Sequence, residues 1–230
     1  MTPHSDIDVV VFDILGTMVD EPAGLRRGLR ALLPDTDEAG VGELAALWHG
    51  HVDEQQREIL AGRRAYADST VLDLEAATRV AARAGVGDAD AIRALAASGQ
   101  RLDPWPDSVR ALDRIASRFP VVGLSNASRA ALTRIGAHAG LRWHQVLSAE
   151  EARSYKPRPD VYRLAIANAG CAPERLLMVA AHAWDLRGAQ AVGMRTAYVE
   201  RPVGDPPGAA DAFDLEAKSL DDLAAALGAA

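Results

Sequence analysis

The sequence predicts an α/β protein: a doubly wound parallel sheet with an all-helical segment inserted after its first strand. Three observations carry this. Val9-Val10-Val11-Phe12 is an apolar run that ends abruptly in Asp13, as a strand covered on both faces should. From Gly24 to Ser98 no strand run occurs and apolar residues recur at helical spacing. From Asp107 onward apolar runs and helical stripes alternate, the pattern of βαβ units.

The inserted segment reads as four helices. Leu25, Leu29, Leu32 and Leu33 form one stripe, and Leu44, Leu47, Trp48, Val52, Ile59 and Leu60 a longer one. Val71, Leu72, Leu74, Ala77, Val80 and Ala81 precede Gly85, and Ile92, Leu95 and Ala96 precede Gly99. Pro104 and Pro106 prevent a helix from running through the return segment, and Asp107 is expected to cap the helix carrying Leu112 and Ile115. The expected division is a core of residues 1–17 and 103–230 and a cap of residues 18–102. Further strands are expected at 121–126, 145–148, 176–181 and 194–199, with helices between them and a last helix over 220–227. Residues 204–208 read as loop.

The 230 residues carry a net charge of -7, with basic residues scattered, which argues against nucleic acid and anionic membrane surfaces as partners. The lone Cys171 excludes an internal disulfide and fits a reducing compartment. Residues 1–8 are polar, with no signal-peptide pattern, and the apolar run after them is too short to span a bilayer, so a cytoplasmic protein is expected.

In a parallel doubly wound sheet the carboxyl ends of the strands share one edge. That edge would gather Asp13 and Thr17, Ser125 and Asn126, Lys156, and His182 with Asp185. Singly, each has an ordinary role: Thr17, Ser125 and Asp185 as helix caps, Lys156 as a solvated charge. Together, on one edge, they read as a reaction centre. Trp48, Trp105 and Trp184 read as packing more than as substrate contacts, though Trp184 adjoins Asp185, and Met18, Met178 and Met194 read as core filler. His51, His138 and His144 have no motif around them.

The order Phe12-Asp13-x-x-Gly16-Thr17, Leu124-Ser125-Asn126, Lys156-Pro157 and an apolar strand before Asp185 resembles the haloacid dehalogenase superfamily across nearly the whole chain. The resemblance implies a Rossmann-like core with a helical cap and an aspartate nucleophile at Asp13. Most of that superfamily are magnesium phosphatases with a second Asp two residues after the nucleophile. Here Leu15 stands there, and Ala180-Ala181 replaces the usual Gly-Asp pair. A hard divalent cation needs several oxygen ligands, so no metal or other cofactor is expected.

The details resemble the type II 2-haloacid dehalogenase branch more closely, in Ser154 to Tyr162 and in Ala183-Trp184-Asp185 through Gly193. The resemblance implies Asp13, Lys156 and Asp185 as catalytic residues and a small carboxylic acid as substrate. A halide leaves as a stable anion and needs no general acid, which agrees with Leu15. Lys156 would keep Asp13 ionised and Asp185 would activate water on the ester. Thr17, Ser125 and Asn126 would hold the substrate carboxylate, with Leu15, His49, Tyr162, His182 and Trp184 completing the pocket and Tyr162 a candidate partner for Lys156. By the same resemblance the protein would be a homodimer.

Two positions depart from the branch: His49 follows Leu47-Trp48 where an arginine is usual, and Ala180-Ala181-His182 replaces Ser-x-Asn. Two histidines can donate protons to a leaving nitrogen or oxygen. Ring opening of a strained cyclic α-carboxylic acid, such as an azetidine carboxylate, therefore stands beside dehalogenation.

Overall fold

The computed structural model describes residues 6–229. The expectation about targeting at residues 1–8 falls largely outside this range. Among the described residues no helix is long and apolar enough to cross a membrane.

Six strands form one parallel sheet: β1 (Val9–Phe12), β2 (Val121–Ser125), β3 (Gln145–Ser148), β4 (Leu176–Ala180), β5 (Arg195–Val199) and β6 (Leu215–Ala217), in the order β3-β2-β1-β4-β5-β6. β1 lies central, with Val11 level with Val122 of β2 and Met178 of β4. Its residues alternate between the two faces. Val10 and Phe12 pack with α5 (Ser108–Ala116), α6 (Arg129–Ala139) and α9 (Leu220–Ala226). Val9 and Val11 pack with α7 (Pro159–Ala169) and α8 (Ala183–Gln190). A strand buried on both faces has no polar alternation to show, so β1 reads as a continuous apolar run. The strand order reverses between β1 and β4, and the crevice at that reversal is where such sheets bind ligands.

Between β1 and α5 lie α1 (Glu21–Leu32), α2 (Glu38–Leu60), α3 (Ser69–Ala84) and α4 (Ala89–Ala96). All four begin on an aspartate, Asp20, Asp37, Asp68 and Asp88, whose side chain accepts from a backbone N–H of the first turn. Each such cap is worth about 1 kcal/mol. The four helices share their own core of Leu25, Leu29, Val41, Trp48, Ala76, Ala77, Val80 and Leu95. A smaller cluster of Ile59, Leu72 and Tyr155 joins them to the sheet-bearing part, where the Tyr155 hydroxyl donates to the Ala67 carbonyl at 2.7 Å.

Two expectations are corrected. β6 was not expected. It is three residues long and half-exposed, with Glu216 facing solvent, so it has neither the length nor the apolar run of the inner strands. Asp107 occupies the N-cap of α5 but makes no capping bond from its side chain. Its Oδ2 instead accepts from Arg201 at 3.1 Å and from the Leu220 N–H at 2.8 Å.

Candidate active site

Asp13 follows β1 and is 7% exposed. Gly16 adopts φ +74°, which turns the chain back so that Thr17 faces Asp13. The Thr17 hydroxyl donates to Asp13 Oδ2 at 2.6 Å and accepts from the Ala181 N–H at 3.0 Å. Lys156 arrives from the segment before α7, its backbone N–H donating to Asn126 Oδ1 at 2.8 Å. Its ammonium donates to Asp13 Oδ1 at 3.0 Å and to Asp185 Oδ2 at 2.7 Å. Asp185, in the first turn of α8, is fully buried. The Tyr162 hydroxyl donates to its other oxygen at 2.7 Å. On the open side of Asp13, His182 Nδ1 stands 3.5 Å from Oδ2, an ion contact too long for a hydrogen bond.

These contacts set the charges. Burial pushes the Asp13 carboxyl up, but Lys156, His182 and Thr17 together hold it well below the usual carboxylate range. Burial alone would lower Lys156, and its two carboxylate partners raise it instead. Burial pushes Asp185 upward against the pull of Lys156, and the Asp13 charge adds to the rise. Burial would lower His182, and the neighbouring Asp13 outweighs it, so the imidazole is raised. The result is an ionised nucleophile beside a more basic second carboxylate. Lys156 stands between the two carboxylates, where a divalent cation would have to sit, and Ala181 offers no further ligand. The residues do not fit a magnesium site, and the described residues contain no cluster of three or more metal-binding side chains.

A cavity of about 70 Å³ lies between the helical segment and the strand ends, with Leu15, Asn126, His49, Glu21 and Asp73 in its wall. The structure thus brings Leu15, His49 and Asn126 to the cavity. Thr17 and Ser125 are instead buried beneath it: Thr17 is occupied by Asp13 and the β4 end, and Ser125 Oγ accepts from the Ala127 N–H at 3.2 Å. Tyr162 has no exposed surface; its hydroxyl reaches Asp185, not Lys156, because α7 and α8 pack face to face at Gly188. Trp184 points outward, 37% exposed, with its ring 5.9 Å from that of His182.

Sequence reasoning overlooked two groups. Glu21 and Asp73 sit in the cavity wall, and the available signal was a carboxylate on an apolar stripe: Asp73 shares its helix face with Ala76, Ala77 and Val80. Behind the nucleophile loop, Trp105 Nε1 donates to the Gly16 carbonyl at 3.0 Å and Arg201 Nε to the Thr17 carbonyl at 2.9 Å. No local pattern announces these, since they depend on the return of distant segments.

Comparison with known proteins agrees with this architecture. The profile for haloacid dehalogenase-like hydrolases matches residues 7–193. The chain is 30% identical over 211 residues to (S)-2-haloacid dehalogenase 4A of Burkholderia cepacia, covering 86% of this chain and 84% of that one. It is 28% identical over 200 residues to (S)-2-haloacid dehalogenase H-109 of Pseudomonas putida, covering 85% and 86%. The crystal structure of the L-2-haloacid dehalogenase PA0810 superposes with a TM-score of 0.88 at 27% identity, over 97% of this chain and all of that one. That of the Xanthobacter autotrophicus L-2-haloacid dehalogenase with chloropropionic acid covalently bound gives 0.83 at 25% identity, over 96% and 98%. With its sheet order, its inserted helices and this match over most of its length, the chain belongs to the haloacid dehalogenase-like hydrolase family.

Proposed function

We propose that the protein hydrolyses a bond at the α-carbon of a small carboxylic acid through an ester on Asp13, as a 2-haloacid dehalogenase does. The observation that carries this reading is the Lys156 ammonium bridging Asp13 and Asp185, at 3.0 and 2.7 Å, with no acid at position 15. An Asp13 oxygen attacks the α-carbon from the side opposite the leaving group, and the halide departs with its bonding pair. Water then adds to the Asp13 carboxyl carbon, giving its proton to the more basic Asp185 side. The acyl C–O bond breaks, the 2-hydroxy acid leaves with inverted configuration, and Asp13 is restored. The free amide group of Asn126 and nearby backbone N–H groups suit the substrate carboxylate.

Single turnover of 2-chloropropionate in ¹⁸O-water tests the route. The expected result is one ¹⁸O in the peptide containing Asp13, with or without EDTA. Label found only in the product, with Asp13 unlabelled, would mean direct attack by water and overturn the reading.

His182 favours a second reading. Its raised imidazole stands beside Asp13, and His49 stands in the cavity wall, where a proton donor would serve a leaving nitrogen. Hydrolytic opening of an azetidine-2-carboxylate would then proceed through the same ester.

A further inference from the structure

α1, α2, α3, α4, α6 and α9 each follow a residue whose own side chain caps the first turn. His182 holds that position before α8, and its side chain makes no such bond. The imidazole is turned toward the nucleophile loop instead. Nδ1 stands 3.5 Å from Asp13 Oδ2, and a Cβ at Gly16 would lie 2.8 Å from the ring carbon Cε1. Nδ1 is buried and makes no hydrogen bond among the described residues. The free N–H in the first turn of α8 is answered from outside the helix. Asp205, in the segment after β5, accepts from the Trp184 N–H through Oδ2 at 3.0 Å. Its backbone pairs on either side of His182: the N–H donates to the Ala181 carbonyl at 3.1 Å, and the carbonyl accepts from the Ala183 N–H at 2.8 Å. Gly204 permits this approach, since a Cβ there would lie 2.6 Å from the Ala181 carbonyl oxygen.

We propose that Asp205 is a positioning residue for the reaction: by capping α8 in place of His182, it leaves the imidazole free to stand against Asp13. The inference rests on the reading of Asp13 as nucleophile and deepens it. An unanswered N–H at a helix start is ordinarily taken by the side chain of the N-cap residue. Without Asp205, the unpartnered nitrogen of His182 could accept from the Trp184 N–H only by swinging off Asp13. The helix and the nucleophile thus compete for one ring, and Asp205 decides the competition. With the ring in place, Asp13 has Lys156 on Oδ1 and an imidazole beside Oδ2. The charged groups facing the ring are Asp13 after β1, Asp185 on α8 and Glu21 on α1, and Asp205 adds its own charge at the helix start. Burial lowers the imidazole, and Asp13, Asp185 and Glu21 outweigh it. A ring that leaves Asp13 loses the strongest of these upward pulls.

The test compares the wild type with Asp205→Ala and Asp205→Asn, and repeats Asp205→Ala on a His182→Asn background. The readouts are the NMR titration of the His182 imidazole, the urea midpoint, and steady-state turnover of 2-chloropropionate and azetidine-2-carboxylate. Asp205→Ala should make His182 titrate at lower pH and lower kcat by at least about tenfold with little change in KM. Asp205→Asn removes the charge but keeps an oxygen acceptor, so it should restore both the titration and most of kcat. His182→Asn supplies an N-cap side chain able to take the Trp184 N–H itself. On that background Asp205→Ala should change kcat by no more than about twofold and leave the urea midpoint nearly unmoved. The proposal is overturned if His182 titrates as in the wild type in Asp205→Ala, or if Asp205→Asn falls as far as Asp205→Ala. Losses that recur in full on the His182→Asn background, unfolding included, overturn it as well. The titration and the urea midpoint need no ester. If single turnover in ¹⁸O-water leaves Asp13 unlabelled, the displacement reading fails while these two readouts still judge Asp205.

Discussion

At the scale of single residues, one ammonium governs the site. Lys156 is 3% exposed and holds two carboxylates that burial would otherwise neutralise. Lys156→Met should raise the Asp13 pKa. Asp13 is depressed in the wild type, so it remains ionised as pH falls; in the variant it takes a proton at higher pH. The acid limb of the kcat/KM profile should therefore move to higher pH, and maximal activity should fall by at least about a thousandfold. Asp13→Asn should abolish turnover while leaving the fold intact, read by circular dichroism beside the rate. Asp73 behaves in the opposite sense. Its carboxyl is raised from 3.8 to about 8, so ionising it costs folded-state stability between those values. The urea midpoint of Asp73→Asn should exceed that of the wild type at pH 8, and the difference should shrink toward pH 4.

The elements explain why some of this was readable and some was not. β1, β2 and β4 are buried on both faces, so their apolar runs and the polar residues at their ends are visible without a structure. Asp13, Ser125, Lys156 and Asp185 could thus be assigned to one edge. What Thr17, Ser125 and Tyr162 do there depends on side-chain directions across elements, and periodicity carries no such information. Tyr162 illustrates this: α7 and α8 meet so closely that a Cβ at Gly188 would lie 2.3 Å from the Tyr162 hydroxyl oxygen. Gly188→Ala should therefore push Tyr162 off Asp185 and destabilise the protein by about 1–3 kcal/mol by urea denaturation. Tyr162→Phe, which removes only the hydroxyl, should cost about 1.5–3 kcal/mol because the bond lost is to a carboxylate.

Across the whole molecule, segments far apart in sequence converge behind the nucleophile loop. Arg201, after β5, holds the Thr17 carbonyl and pairs with Asp107, which in turn accepts from the first N–H of α9. Arg201→Ala would leave Asp107 without its countercharge, and the expected loss is about 3–5 kcal/mol. The same change should lower kcat more than it raises KM, since it loosens the nucleophile and not the cavity wall; steady-state kinetics on the soluble variant checks this. The inserted helices were legible as helices, because regular apolar stripes, with Gly85 and Gly99 closing two of them, mark them. Their role as one wall of the cavity was not, because it arises only where they meet the strand ends. That meeting has an evolutionary consequence. Bond-breaking machinery rests on the chain to either side of the inserted helices, and Glu21, His49, Gln56 and Asp73 on the insertion itself. A library randomised at those four codons can explore new diets for the enzyme while its engine stays untouched.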